Sequence, residues 1–276
     1  MALNSVNTNT GALIALQNLQ VTNAELDRVQ SRINTGMKVS SAKDNGAIWA
    51  IAQGQRAEIR AQEAVKNSLS RGQSAVDVAL SGGETVSDLL IQLKEKALAA
   101  TDSSLTTSAR SALNEDFKSL RNQIATVVTN SSFNGVNLLN NSITLGYRAL
   151  ANTTGSTITV DDENMSLGGL IVTVTATTSI GTAALATTAL GLVNASIDRV
   201  SASLARLGTG SNSLVTHQTF IGKLQDALET GVGNLVDADL AKESARLQAL
   251  QTKQQLGVQA LSIANSSTSI LLGLFR

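Results

Sequence analysis

The sequence predicts a mainly α-helical protein: a long antiparallel, coiled-coil-like helical rod, a terminal helix pair, and a small central β-rich insert. Three observations predict it. Apolar residues recur at helical spacing through both halves, both ends lack charged side chains, and the middle is rich in Ser, Thr and β-branched residues. Proline breaks helices because its ring lacks an N–H and clashes with the preceding turn, and none of the 276 residues is proline.

The first half carries stripes of apolar residues that step by three and four positions, the spacing of one helix face. One stripe runs through residues 19–33, and others fill residues 69–97. Polar residues 101–104 predict a turn, and Ser108 is expected to cap the helix that follows. The stripe of that helix forms one side of the predicted rod seam, with Leu113, Phe117, Leu120 and Ile124.

Helical spacing stops in the middle of the chain. Asn134-Gly135 is a turn signal because both residues tolerate positive φ. β-branched residues partly alternate at Ser156–Val160 and Leu170–Thr175, which predicts two short strands. We therefore expect residues 141–187 to form an exposed β-rich insert between helical segments 41–140 and 188–236.

A seven-residue apolar repeat in the second half predicts one long helix with a continuous seam. Polar residues interrupt the alternate positions of the repeat, which lowers stability and can fix register. The seam consists of Val200, Leu207, Leu214, Ile221, Leu228 and Leu235.

The two ends of the chain are uncharged: residues 1–24 and 254–275 contain no Asp, Glu, Lys or Arg. A lone amphipathic helix of this kind has little to bury against, so we expect identical neighbours to cover it. Two alternatives are ordinary frayed termini and helices that lie on a membrane surface. Self-assembly fits better, because frayed termini are usually charged and less apolar, and membrane-surface helices carry a Lys/Arg face that both ends lack. Identical chains that contact each other head to tail, without closing into a ring, build a helical filament. The predicted self-assembly residues are Leu3, Val6, Leu13, Leu16, Leu19, Leu26, Ile33, Leu256, Leu261, Ile263, Ile270, Leu271 and Leu274.

The composition argues against several classes of function. With 21 basic and 21 acidic residues there is no net positive charge to favour nucleic acid, and no apolar run is long enough to cross a bilayer. The chain has no cysteine, and His217 is its only histidine, so neither a catalytic cluster nor a cofactor site is expected.

The segment Asp161–Asn164 is interpreted as an acidic surface turn, with a weak cation site as the alternative, because it lacks calcium-loop spacing. Gly82-Gly83 and Gly208-Thr209-Gly210 match no phosphate-binding motif and are expected to loosen their helices.

Four motifs resemble those of the bacterial flagellins. They are SRINTGMKVSSAKD at residues 31–44, SFNGVNLL at 132–139, ALNSVNTN at 2–9, and the close ANSS through LLGLFR within 264–276. The resemblance covers roughly residues 1–145 and 188–276, and the insert is far shorter than in large multi-domain flagellins.

The resemblance implies a structural subunit of the bacterial flagellar filament, exported unfolded by the flagellar type III apparatus without a cleaved signal peptide and polymerised at the tip. Residues 1–40 and 237–276 would form the inner tube, 41–140 and 188–236 the rod, and 141–187 the surface facing the medium. The implied partners are the chain itself, other flagellins, the filament cap, hook-junction proteins and an export chaperone. A hook–filament junction protein is the nearest alternative; a discrete coiled-coil binding module and an enzyme are the others.

Two further expectations concern surface positions. Flagellins detected by the Toll-like innate receptor carry an Arg and a Leu one turn apart and a Glu on the returning helix; this chain has Gln92, Lys96 and Asp116 there. The loss of a guanidinium and of an apolar contact predicts weakened recognition. Hydroxyls of the insert either accept O-linked sugars or belong to a plain β-rich surface. The candidates are Thr154, Ser156, Thr175, Thr177, Thr178 and Ser179.

Overall fold

The computed structural model describes residues 8–143 and 145–273, the last seven of them by their backbone alone. Within this part of the chain, helices dominate and one two-stranded antiparallel sheet lies between them, which confirms the predicted mainly α fold with a small β insert. The elements are α1 Thr10–Thr35, α2 Gly46–Ala100, α3 Thr107–Asn130, β1 Tyr147–Leu150, β2 Thr157–Val160, α4 Ala183–Val236 and α5 Leu240–Gly273.

Each helix begins after a residue whose side-chain oxygen accepts a hydrogen bond from a backbone N–H of the first turn. Such a cap satisfies one of the N–H groups that have no partner within the helix. For α3 the cap is Thr106, which accepts from the N–H of Ala109 at 3.2 Å, so the prediction of Ser108 was wrong. The other caps are Asn9 for α1, Asn45 for α2, Thr182 for α4 and Asp239 for α5.

The chain divides into two compact units: residues 1–57 with 227–276, and residues 58–226. In the second unit, parts of α2 and α4 run antiparallel to each other, as the 2.7 Å hydrogen bond from Gln73 to Ser211 and the 2.9 Å bond from Gln218 to Ser70 show. Helix α3 returns antiparallel along α2, since Arg110 reaches the carbonyl of Ala100 near the turn between them.

The core of the second unit is built from the predicted helix stripes. Phe117 and Ile124 of α3 are fully buried. At most 1% of the surface is exposed at four residues of α4: Val200, Leu207, Leu214 and Ile221. Leu113 and Leu120 are half-buried and pack against this core. In the first unit, Leu228 and Leu235 are also half-buried.

Glycines let α2 approach its neighbours closely. A Cβ at Gly82 would lie 2.1 Å from the Ser131 Oγ, and one at Gly83 would lie 2.7 Å from the Leu204 Cδ2. Helix α2 runs unbroken through both positions, so Gly82-Gly83 does not end the helix; the expected loosening stays a prediction. Gly210 has a similar role, since a Cβ there would meet Val160 at 2.9 Å.

The insert contains one hairpin, in which Tyr147 pairs with Val160 and Leu150 with Thr157. The predicted strand at Ser156–Val160 is present as β2, but the predicted strand at Leu170–Thr175 was wrong and β1 was missed. The insert is not simply an exposed layer, and α4 already begins at Ala183, five residues before the expected position. Its inward side chains join the core: Ala149, Val160, Met165, Val172, Val174 and Ile180.

Polar side chains anchor the insert to the helices. Asn114 of α3 accepts from the N–H of Ile180 at 2.8 Å, and Arg121 donates to the carbonyl of Thr178 at 2.8 Å. The N–H of Thr173 donates to the Ser196 hydroxyl at 3.0 Å. Asn134 and Gly135 have φ values of 50° and 80°, as expected for the turn after α3.

Candidate functional site: the exposed faces of the terminal helices

Helices α1 and α5 pack antiparallel in the first unit, held in register by polar contacts. At one end the Asn9 side-chain amide donates to the carbonyl of Ala264 at 2.7 Å. At the other, Arg32 Nη1 lies 3.1 Å from Glu243 Oε1, with the Glu243 side chain only 10% exposed. The predicted terminal helix pair therefore forms within one chain.

The apolar core of this pair is small. It consists of Leu26, Val29 and Leu250, with Ile33 and Leu247 packed beside them. All five lie in the half of the pair that adjoins residues 36 and 240, where the charged residues of α1 are also found. Towards the uncharged ends the apolar side chains remain largely uncovered.

We call these uncovered side chains the assembly face. Its largest exposures are those of Ile263 at 64%, Leu256 at 62% and Ile14 at 60%. A leucine or isoleucine this exposed in an uncharged segment has no favourable environment in an isolated chain. The assembly face comprises Leu13, Ile14, Leu16 and Val21 of α1 with Leu256, Val258 and Ile263 of α5.

The predicted assembly residues fall into four groups. Leu13, Leu16, Leu256 and Ile263 belong to the assembly face; Leu26 is buried within the pair. Half-buried positions are Leu19, Ile33 and Leu261. Leu3, Val6 and Leu274, and the side chains of Ile270 and Leu271, lie outside the described residues.

Sequence reasoning missed three members of the assembly face: Ile14, Val21 and Val258. It selected residues that share one helical stripe, whereas these lie beside it. Their signal was apolar character in a stretch without any charge, which marks the whole circumference of the helix rather than a single face.

Magnitudes indicate what the assembly face can do. Fully burying one such side chain contributes about 1.5 to 3 kcal/mol, so covering seven side chains that are already about half covered contributes on the order of 5 to 10 kcal/mol. Association costs about 4 to 15 kcal/mol in lost translational and rotational freedom. A single pairwise contact through this face would therefore be weak, whereas several simultaneous neighbours would hold a subunit firmly.

The connector, residues 36–45, joins α1 to α2. Gly36 takes a φ of 70° where α1 ends. The Lys38 N–H donates to the carbonyl of Val236 at 2.7 Å, and the Ala238 N–H donates to the carbonyl of Gly36 at 2.8 Å. These two bonds lie on either side of a backbone bridge between Met37 and Asp237. The connector is thus paired with the chain between α4 and α5.

Asp44 organises the other end of the connector. Its Oδ2 accepts from the hydroxyls and backbone N–H groups of Ser40 and Ser41, at 2.9 to 3.2 Å. Because these bonds favour the charged carboxylate, the Ser40 hydroxyl most of all, they hold the pKa of Asp44 below its ordinary value of 3.8.

The positions related to innate-receptor recognition lie on α2 and α3. Gln92 and Asp116 are exposed, and Lys96 is half-buried. Lys96 Nζ lies 2.8 Å from Asp116 Oδ2, and this contact raises the pKa of Lys96. Two of the three positions therefore form an ion pair with each other.

The candidate hydroxyls for glycosylation differ in exposure. Thr154, Ser156, Thr175 and Thr177 are exposed, whereas Thr178 and Ser179 are half-buried. Several already have partners within the insert: the Thr154 hydroxyl donates to Asn152, and the Thr175 hydroxyl lies within 3.1 Å of those of Thr177 and Thr178.

The segment Asp161–Asn164 is not the surface turn that its acidity suggested. Glu163 is buried and both of its oxygens bind Arg206, while the Asn164 side-chain oxygen accepts from the N–H of Ser166. Across the described residues, no group of three or more Asp, Glu or His side chains is gathered as metal ligands.

His217 packs against Phe220 with its Nε2 at 2.6 Å from the carbonyl of Ala151. In that same part of the chain, no helix is apolar enough over its length to span a membrane.

Comparison with known proteins identifies the family. The model of the bacterial flagellin N-terminal helical region matches residues 6–144, and that of the C-terminal helical region matches residues 190–275. Flagellin FljM of Caulobacter vibrioides is 60% identical over 277 residues, covering 100% of both chains, and a flagellin of Brucella melitensis is 37% identical over 287 residues, covering 99% of both.

A solved structure described as a flagellar hook-associated protein from Vibrio parahaemolyticus shares the fold, with a TM-score of 0.53 and 14% identity over 70% of this chain and 100% of that one. The full-length relatives are flagellins, however, and together with the two family matches they decide between the alternatives. This chain belongs to the bacterial flagellin family, and is a structural, non-enzymatic component of the extracellular flagellar filament that serves motility.

Proposed function

We propose that this flagellin is exported unfolded by the flagellar type III apparatus and polymerises at the filament tip, where neighbouring copies cover its assembly face. The observation that carries this proposal is the uncharged, half-exposed set of leucine, isoleucine and valine side chains on α1 and α5. Export as an unfolded chain is compatible with this structure, because the α1–α5 pair buries much of its apolar surface only when neighbouring subunits cover it.

The proposed roles of the segments follow from burial. Residues 1–40 and 237–276 line the inner tube, because the apolar side chains of the assembly face, which lie in these segments, are largely uncovered within the chain. Residues 41–140 and 188–236 form the rod. Residues 141–187 face the medium, and their outer positions include the 85% exposed Leu170.

The proposed partners are those that such a chain needs before and during assembly. Copies of itself and related flagellins extend the filament. A filament cap lies at the tip of the polymer, and hook-junction proteins lie at its base. A cytosolic export chaperone covers apolar terminal side chains, which would otherwise associate before export.

The assembly face is tested by seeded growth. Purified full-length chain is added to short filament seeds, and filament length is followed by electron microscopy. Ile263→Asp and Leu256→Asp place a charge in the assembly face and are expected to abolish elongation without unfolding the monomer, since both side chains are exposed.

The matched control is Leu170→Asp, the same change at a still more exposed leucine of the insert. It is expected to elongate like the unchanged chain. Normal growth by both terminal variants would refute the assembly face, and growth of the unchanged chain that stops after one short layer would refute continued polymerisation at the filament tip. Export is tested separately, by measuring chain in the medium with and without a functional flagellar export apparatus.

A second proposal concerns innate recognition: this chain escapes the Toll-like receptor. Gln92 lacks the guanidinium that such recognition uses, and Lys96 presents an ammonium paired with Asp116 where an apolar contact is needed. A reporter-cell assay in which this chain matches a standard enteric flagellin in potency would refute the proposal.

The insert carries a third proposal, O-linked glycosylation. The exposed hydroxyls of Thr154, Ser156, Thr175 and Thr177 support it, while their hydrogen bonds within the insert support a plain polar surface. Intact mass of native filament protein separates the two, because an unmodified chain has a mass of 28.6 kDa.

A further inference from the structure

The three methionines of this chain differ in their surroundings. Met165 is fully buried in the core of residues 58–226, and Met1 lies outside the described residues. Met37 is half-buried in the connector. Its Sδ lies 3.8 Å from Nη2 of Arg56, whose guanidinium donates a hydrogen bond to the sulfur.

This contact pairs a strong donor with a weak acceptor. A thioether sulfur is a poor hydrogen-bond acceptor, whereas a sulfoxide carries a polar oxygen. A guanidinium that donates to such an oxygen forms a charge-assisted bond about twice as strong as a neutral one. We propose that Met37 is an oxidation site and that the Arg56 guanidinium holds the resulting methionine sulfoxide.

The oxidation requires a peroxide as co-reactant. A lone pair of Sδ forms the S–O bond while the O–O bond of hydrogen peroxide breaks. The transferred oxygen loses its proton, and the departing hydroxide leaves as water. One thioether and one peroxide thus give one sulfoxide and one water, with the sulfur oxidised by two electrons and the peroxide reduced by two.

The backbone around Met37 is held close to Arg56. The N–H of Lys38 and the carbonyl of Gly36 are both hydrogen-bonded to residues 236–238, which fixes the position of the Met37 Cα and keeps its side chain within reach of the guanidinium. Oxidation of a methionine in an apolar core leaves a polar oxygen without a partner and destabilises the protein. At Met37 the new oxygen finds a donor already in place, so the connector tolerates oxidation.

Peptide mapping tests the first part of the proposal. The unassembled full-length chain is treated with hydrogen peroxide, and sulfoxide is followed at each methionine by mass spectrometry. Met37 is expected to oxidise at least about tenfold faster than the buried Met165. Equal rates at the two residues, or faster oxidation of Met165, would overturn the assignment.

Thermal unfolding tests the role of Arg56. Chains with and without peroxide treatment are compared for the unchanged protein, Arg56→Gln and Met37→Leu. Oxidation is expected to lower Tm more in Arg56→Gln than in the unchanged chain, and to leave Met37→Leu unaffected. If oxidation lowered Tm equally in the unchanged chain and in Arg56→Gln, the role of the guanidinium would be refuted. Should Arg56→Gln not fold, Arg56→Lys replaces it, because an ammonium lacks the planar fork of donors.

Discussion

Arg206 holds Glu163 with two parallel hydrogen bonds, each 2.6 Å long, from Nε to Oε1 and from Nη2 to Oε2. The Glu163 side chain is 6% exposed while that of Arg206 is 59% exposed, so a surface guanidinium satisfies a buried carboxylate. The pair joins the insert to α4, and the carboxylate raises the pKa of Arg206. The N–H of Glu163 also donates to the carbonyl of Leu138 at 2.7 Å.

Glu163→Gln is expected to lower the free energy of unfolding by about 1 to 3 kcal/mol, because one of the two bonds from the guanidinium is lost and the remaining one no longer joins two opposite charges. Urea denaturation of the unassembled chain measures this. Asp161→Asn, at an exposed carboxylate two residues away, is the control and is expected to change stability by less than about 0.5 kcal/mol. Equal effects of the two changes would show that the pair does not anchor the insert.

The seven-residue repeat predicted burial well because a helix seam is a local property of the sequence. Four of its six residues, Val200, Leu207, Leu214 and Ile221, lie within 1% of complete burial, and Leu228 and Leu235 are half-buried. No tertiary information was needed, since the period of the apolar residues alone fixes which side of the helix is covered.

The insert shows why the rest could not be predicted. Partial alternation of β-branched residues at 170–175 predicted a strand, yet none forms there, although Val172 and Val174 are buried. The N–H of Thr173 bonds to the Ser196 side chain of α4 rather than to a second strand, a partner that period-two patterning cannot reveal. Strand β1 was missed because four residues with one outward charge, Arg148, alternate too briefly to be recognised.

The assembly face was predictable in location but only partly in membership. Uncharged ends indicated which segments carry uncovered apolar side chains, and Leu13 and Leu256 follow from the stripe. That Leu26 is instead covered by the pair itself depends on where α5 crosses α1, for example at the 2.8 Å bond between Gln254 and Asn23. Such packing is decided by the whole fold.

Gly82→Ala is expected to destabilise the chain by about 1 to 3 kcal/mol, since the new methyl group would overlap Ser131 and Leu139 and force α2 and α3 apart. Gly208→Ala, in α4 with nothing within 4 Å of the added Cβ, is expected to stabilise by up to about 1 kcal/mol through helix propensity. Urea denaturation of both variants checks the signs. Stabilisation by both would mean that the close approach at Gly82 is not required.

The combined change Gln92→Arg, Lys96→Leu and Asp116→Glu is expected to raise potency in a Toll-like receptor reporter assay, at least about tenfold, because it supplies a guanidinium and an apolar contact and removes the Lys96–Asp116 ion pair. The matched control introduces the same three residue types at exposed positions of α2: Asn67→Arg, Lys94→Leu and Asp88→Glu. An unchanged response from the first variant would mean that other positions prevent recognition.

Asp44 gives the connector an acid sensitivity whose sign follows from its pKa. The pKa is depressed in the folded chain, so its contribution to stability is complete above the unfolded value of about 3.8 and is lost as pH falls through the lower folded value. Asp44→Asn is therefore expected to have a lower Tm than the unchanged chain at pH 7. The difference should shrink below about pH 3.8 as the carboxylate takes up a proton. Thermal unfolding of both chains from pH 7 to pH 2 measures this difference, in which the titration of other carboxylates largely cancels. A gap in Tm that persists at pH 2 would mean that Asp44 acts through the shape of its side chain rather than through its charge.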